Sequence, residues 1–140
     1  MKHKKIGYTS GVFDMFHIGH LNIIRNAKKN CDYLIVAVSS DELTFKLKNK
    51  KPHISFKERI QIIKSLKYVD KVVKEKKDDK IKAWKNYRYN IIFKGSDWKK
   101  SKKWIQLKKF FFKNNVKIKF FAYTKNISTS SLQKKIKDRK

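Results

Sequence analysis

This sequence predicts an α/β fold, a parallel sheet with helices on both sides, on three observations. Short apolar runs alternate along the chain with stretches whose apolar residues recur at helical spacing. The run from Asp32 to Val38 (DYLIVAV) is apolar at nearly every position, as expected of a strand covered on both faces. The first strand, helix and second strand are complete within about 35 residues, the size of a right-handed βαβ unit.

Taken in order, Lys5 to Thr9 reads as a strand running into a turn at Ser10-Gly11. Leu21 to Lys29 carries apolar residues at 21, 23, 24 and 27, one face of a helix. Asp32 to Val38 is the second strand. Asp41 to Pro52 (DELTFKLKNKKP) reads as a long, lysine-rich mobile loop. Ser55 to Leu66 is helical, with Ser55 as N-cap and Glu58 at the capping-box position. Lys71 to Lys74 is a short strand, and Asp78 or Asp79 opens a helix through Tyr87. Asn90 to Phe93 is a further buried strand. Trp104 to Lys113 is helical, Val116 to Phe121 is a strand, and Ser128 starts a final helix through Lys137. With no repeat and no Pro/Gly-rich linker, residues 1–140 are expected to form one domain.

Composition narrows the function. Leu, Ile, Val and Phe make up about 29 % of the chain, well above the level at which chains stay disordered. The single cysteine, Cys31, excludes an intramolecular disulfide and a multi-cysteine zinc site. No apolar run is long enough to span a bilayer, and no signal-peptide core follows the basic start, so a cytoplasmic protein is expected. The net charge of +27 attracts polyanions, whether nucleic acid, acidic lipid or a nucleoside triphosphate. Only Arg25, Arg59, Arg88 and Arg139 are arginines, however, whereas base and phosphate recognition favours the planar arginine fork. Lysines spread over every segment read as solvated faces, so no specific nucleic-acid partner is expected.

Ligands of an open parallel sheet bind beyond the carboxyl ends of its strands, which singles out residues 10–20, 39–52, 94–101 and 122–130. The first of these segments holds Gly11-Val12-Phe13-Asp14-Met15-Phe16-His17-Ile18-Gly19-His20. Gly11 lets the backbone approach a ligand with no Cβ in the way. His17 and His20 sit three apart across Gly19 at the start of a helix, whose amides favour an anion. Two imidazoles plus free amides make a donor set for phosphate oxygens that gain charge during phosphoryl transfer. A capped helix with incidental histidines and a two-histidine metal site are the alternatives.

Four lysines, Lys46, Lys48, Lys50 and Lys51, make the second segment a cationic arm able to fold over a triphosphate. In the third, Asp97 and Trp98 offer a hydrogen-bond acceptor beside a flat ring for a base. Ser128, Thr129, Ser130 and Ser131 in the fourth place consecutive hydroxyls at a helix start, a cap that also seats phosphate. Phe110 to Phe112, Phe120 and Phe121 read as core or dimer contacts, Cys31 as a small packing residue, and Asp14 as a loop-fixing or metal-adjacent group.

The decapeptide from Gly11 resembles the G-x-F-D-x-x-H-x-G-H motif of the cytidylyltransferase family, a branch of the HxGH nucleotidyltransferases. Ser39-Ser40-Asp41 resembles the family's S-x-D, and Arg59 with Tyr68-Val69-Asp70 its R…Y-V-D. Gly95-Ser96-Asp97-Trp98 is similar to its G-x-D-W, and Ile127-Ser128-Thr129-Ser130 to its I-S-T-T/S. The resemblance implies a Rossmann-like domain with a five-stranded parallel sheet, working as a homodimer. It also implies cytidylyl transfer from CTP, accompanied by Mg²⁺, to a small phosphorylated alcohol. Within the family the likeness is greatest to bacterial enzymes acting on sn-glycerol 3-phosphate, which make CDP-glycerol and pyrophosphate. Another polyol or sugar phosphate, or adenylyl transfer, is the runner-up. The class-level rival is a basic nucleic-acid-binding protein.

The resemblance also distributes the residues. His17, His20, Lys50 and Thr129 would serve the transfer step. Gly11, Val12, Phe13, Gly19, Lys48, Asp97, Trp98, Ile127, Ser128 and Thr129 would hold the nucleotide. Ser10, Arg59, Lys67 and Tyr123, the last where the family has an arginine, would contact or support the acceptor.

Overall fold

A computed structural model of the chain describes residues 4–95 and 101–122. Five strands form one parallel sheet: β1 (Ile6–Gly11), β2 (Tyr33–Ser39), β3 (Lys71–Glu75), β4 (Ile91–Gly95) and β5 (Lys117–Phe121). Their order is β3-β2-β1-β4-β5, so the winding reverses between β1 and β4. That is the switch point at which an open sheet of this kind takes its ligand. The described helices are α1 (Ile18–Lys29), α2 (Asp41–Lys48), α3 (Phe56–Lys64), α4 (Lys80–Tyr87) and α5 (Lys102–Lys113). The Rossmann-like fold predicted from the sequence is the one observed.

The sheet is buried on both faces, which is why β2 reads as an unbroken apolar run. On one face Leu34, Val36, Val38, Ile91 and Phe93 pack with Ile24 and Ala27 of α1 and Ile63 of α3. On the other, Tyr8, Ile35, Ala37 and Ile92 pack with Trp104, Leu107 and Phe111 of α5, flanked by Ile81 and Trp84 of α4. Alternate strand residues point to opposite faces, so β2, β3, β4 and β5 each serve both cores. A Cβ at Gly7 would come within 2.7 Å of Cys31 Sγ and 2.8 Å of the Phe93 ring, so this position in β1 admits no side chain.

Helix starts follow the sequence signals. Ser55, Asp79 and Ser101 cap α3, α4 and α5, each accepting a first-turn amide on its side chain. The segment from Asp41 corrects the loop reading, because it opens with α2. Ser40 Oγ accepts from Leu43 N at 3.0 Å, acidic Asp41 and Glu42 occupy the first turn, and Lys46 and Lys48 the last. Asn49 closes the helix in the left-handed conformation. Charges matched to the helix dipole, and not flexibility, account for the lysines there. Asp97, Trp98, Tyr123, Ile127, Ser128 and Thr129, with the helix expected from Ser128, lie outside the described residues.

Candidate active site

The turn after β1 departs from ordinary backbone. Phe13 and Met15 both take positive φ, 54° and 49°, a conformation that costs a side-chain-bearing residue about 1 kcal/mol or more. Asp14 between them is buried and fixes the turn. Its Oδ2 accepts from the backbone N–H of His53 at 2.8 Å, and its Oδ1 accepts from Ile54 N at 2.9 Å. The His53 ring adds Nδ1 at 3.2 Å. Burial alone would raise the Asp14 carboxyl, but the His53 and Ile54 amides and the His53 ring outweigh it and hold the group below its usual range. Val12 lies in the same turn, between Gly11 at the end of β1 and Gly19 in the first turn of α1. Phe13 is buried in the core, where its ring meets His20 edge-on at 5.5 Å and backs the histidine.

The two histidines form a reciprocal cap at the start of α1. His17 is the N-cap, and its Nδ1 accepts from Gly19 N at 3.1 Å. His20 Nδ1 accepts from His17 N at 3.2 Å. The expected free amide at Gly19 is therefore engaged by His17. The rings stack at 3.8 Å with 24° between their planes. Because each Nδ1 is an acceptor, the proton of each neutral ring sits on Nε2. Burial depresses the His17 pKa. Burial and then the His17 neighbour, with a further push from Lys48, bring His20 down to about 4 against the opposing pull of Asp14. At neutral pH the site thus presents two uncharged Nε2–H donors side by side.

This arrangement predicts a signature in stability. A base whose folded pKa lies below its unfolded value stabilises the fold fully above the unfolded pKa and loses that contribution as pH falls toward the folded one. For His20 the window runs from about 6.5 down to about 4. Thermal melts of the wild type should fall through that window, and those of His20→Asn should fall less. Equal slopes would remove the depressed pKa.

Lys48, in the last turn of α2, lies close enough for its charge to act on His20, whereas Lys50 is exposed in the segment beyond the helix. Arg59 is held differently from a substrate contact, and here the sequence reading is corrected. Its guanidinium is buried and donates to Ile54 O at 2.9 Å, Val12 O at 2.7 Å, Ser39 O at 2.8 Å and Asp41 Oδ1 at 2.5 Å. It ties the motif turn, the end of β2 and the starts of α2 and α3 to one point. Lys67 is also corrected. It is exposed just before β3, at the amino edge of the sheet, where neighbouring Asp70 accepts from Leu34 N at 2.8 Å. The site lies at the opposite edge.

Ser10 is buried and accepts from Lys80 Nζ at 2.6 Å. Lys80 also lies 2.6 Å from Glu75 Oε2 and 3.2 Å from Asp78 Oδ1, and Ser39 Oγ donates to Glu75 Oε1 at 3.0 Å. Asp78 is paired with Lys103 as well. Sequence reasoning passed over Glu75, Lys80 and Lys94, and also His53. Lysines look alike in so basic a chain, and only strand register brings these together.

With this geometry in place, comparison with known proteins decides the family. Residues 8–135 match the Cytidylyltransferase-like family. The chain belongs to that family. Glycerol-3-phosphate cytidylyltransferase of Bacillus subtilis is 32 % identical over 129 residues, covering 91 % of this chain and 94 % of the relative. The Bifunctional protein HldE of Helicobacter pylori is 38 % identical over 96 residues, 68 % of this chain and 21 % of that protein. Among solved structures, the lipopolysaccharide core biosynthesis protein of Thermoplasma volcanium superposes with a TM-score of 0.71 at 27 % identity, covering 87 % of this chain and 98 % of that one. This cytidylyltransferase-like chain is an enzyme by that kinship, and no described helix is long and apolar enough to cross a membrane.

Proposed function

We propose that this enzyme transfers a cytidylyl group from MgCTP to sn-glycerol 3-phosphate, releasing pyrophosphate and forming CDP-glycerol. The observation that carries the reading is the pair of uncharged Nε2–H donors at the switch point. Relatives named glycerol-3-phosphate cytidylyltransferase, aligned over about nine-tenths of the chain, support the nucleotide and the acceptor.

The acceptor phosphate is already an oxyanion at neutral pH, so its oxygen attacks the α-phosphorus directly while the bond to the pyrophosphate oxygen breaks. Neither a protein nucleophile nor a strong base is required. Catalysis is positioning plus stabilisation of charge that develops on the α-phosphate and the leaving group. His17 and His20 donate to those oxygens, and neutral donors do this without trapping the phosphates in the ground state. Lys48, with Lys50 beyond it, screens the departing pyrophosphate, and Thr129 steadies the phosphates. Asp97 and Trp98 read the base, with Ile127 and Ser128 beside the phosphates and Tyr123 near the acceptor. Magnesium enters with the triphosphate, whose oxygens suit a hard cation better than two Nε2–H groups do. The enzyme works as a cytoplasmic homodimer in this reading.

A sugar phosphate acceptor is the second reading, favoured by the likeness to the Thermoplasma lipopolysaccharide core biosynthesis protein. Pyrophosphate release measured across four nucleotides and a panel of phosphorylated alcohols tests both. CTP with sn-glycerol 3-phosphate should give the highest kcat/KM. A preference for a sugar phosphate would replace this assignment with the second reading, and a preference for ATP would replace cytidylyl by adenylyl transfer.

A further inference from the structure

The most unusual feature outside the histidine pair is a row of polar side chains on the α4 face of the sheet. Residues two apart on a strand share a face. Tyr8, Ala37, Val73 and Ile92 all belong to the core on the α4 and α5 side. Two residues further on, at the carboxyl ends of β1, β2, β3 and β4, stand Ser10, Ser39, Glu75 and Lys94. Four adjacent strands thus turn from apolar to polar on that face toward their carboxyl ends, with Ser10 alongside Ala37, and Ser39 alongside Glu75 two residues further on. Lys80 of α4 lies across the row, bound to Ser10 and Glu75.

A fold gains little from burying such groups. An apolar set of similar volume would be as stable or more so, and buried polar networks that break the local pattern concentrate at functional sites. The row also has an open end. Ser10, Ser39, Glu75 and Lys80 are buried, whereas Lys94 is only partly so, and it immediately precedes the segment 95–98 read as part of the nucleotide pocket. Its charged surroundings are Lys80, Glu75, Asp78 and Lys103. Counting Lys94 itself, cations exceed anions by one. Burial and then the charge of Lys80 bring the Lys94 ammonium down to about 8, which leaves it mainly charged at neutral pH.

We infer that this row receives the hydroxylated end of the acceptor, with Lys94 donating to its hydroxyls and excluding an ammonium head group. The inference rests on the transfer reaction proposed above and adds to it the residue that selects a polyol phosphate over an amino-alcohol phosphate. The acceptor phosphate has to lie against the histidines to attack. The row begins at Ser10, the residue just before the motif glycine, and continues to Lys94 on the neighbouring strand, so the rest of the acceptor falls upon it.

The test is Lys94→Met, which keeps the length and removes the charge and the donor. Initial rates of pyrophosphate release are measured with sn-glycerol 3-phosphate and with phosphocholine, alongside a thermal melt. Losing a charge-assisted hydrogen bond should raise KM for sn-glycerol 3-phosphate roughly 10- to 100-fold. The KM for CTP should stay within about twofold, the melting temperature should hold or rise, and relative kcat/KM for phosphocholine should increase. An unchanged acceptor KM in an active enzyme would overturn the inference, as would a lowered melting temperature with both KM values raised, the mark of a structural lysine. Absence of wild-type turnover with every nucleotide and acceptor would instead overturn the reaction itself, and the inference with it.

Discussion

His17→Asn should keep the fold and lose turnover by roughly 10²–10³-fold, the scale of removing one donor from a charge-stabilising site. The substitution separates two jobs that the native ring performs together. Through Nδ1, His17 caps α1, accepting from Gly19 N, and asparagine is among the best residues at that position. Through Nε2 it presents a donor to the phosphates, and asparagine, being shorter, cannot reach as far. His17→Ala removes both, and should cost about 1 kcal/mol of stability in addition to the same loss of rate. His20→Asn should lose as much turnover, and the double variant should lose far less than the product of the two, because stacked donors aimed at one group act as a unit. Steady-state pyrophosphate release with thermal melts checks all three. Turnover near wild type in both single variants would take the histidines out of the reaction.

The second large effect is structural. Arg59→Met should destabilise the protein by about 3–5 kcal/mol, on the order of a 10 °C or greater fall in melting temperature for a chain of this size. The guanidinium is fully buried, and its loss leaves the carbonyls of Val12, Ser39 and Ile54 and the Asp41 carboxylate without their donor. Because the same group anchors the motif turn and the start of α2, the surviving folded fraction should also bind nucleotide more weakly. Arg59→Lys, a single point of charge in place of a fork, should recover only part of the stability. A melting temperature within about 2–3 °C of wild type for Arg59→Met would mean that the turn is held by other contacts, with Asp14 and its bonds to His53 and Ile54 the next to examine.

The alternation of strands and helices is legible in the sequence because both faces of the sheet are covered, so β2 and β4 stand out as apolar runs and the helices as periodic ones. The α2 helix was equally available. Ser40 as cap, two acids, two lysines and a closing asparagine form a regular helix signal, but the density of lysine made the stretch look like a loop. The histidine pair is legible as a pattern, whereas its proton positions are not, since they depend on which ring nitrogen turns toward the main chain. The polar row escaped for a sharper reason. The sequence reading ended β1 at Thr9, β2 at Val38, β3 at Lys74 and β4 at Phe93, while these strands run on to Gly11, Ser39, Glu75 and Gly95. A change toward polar residues reads as the end of a strand, whereas here the strands run on through it. Arg59 and Lys80 are hidden similarly, because burial of a long cation is decided by partners remote in sequence.

The protonation of two rings decides whether this site can work as described. Nitrogen-15 spectra of the wild type with labelled histidine, recorded at pH 7 before and after MgCTP is added, read it directly. Both His17 and His20 should be neutral with the proton on Nε2, and both Nε2–H signals should shift on addition of the nucleotide. Protons on Nδ1, charged rings, or signals that ignore MgCTP would contradict it.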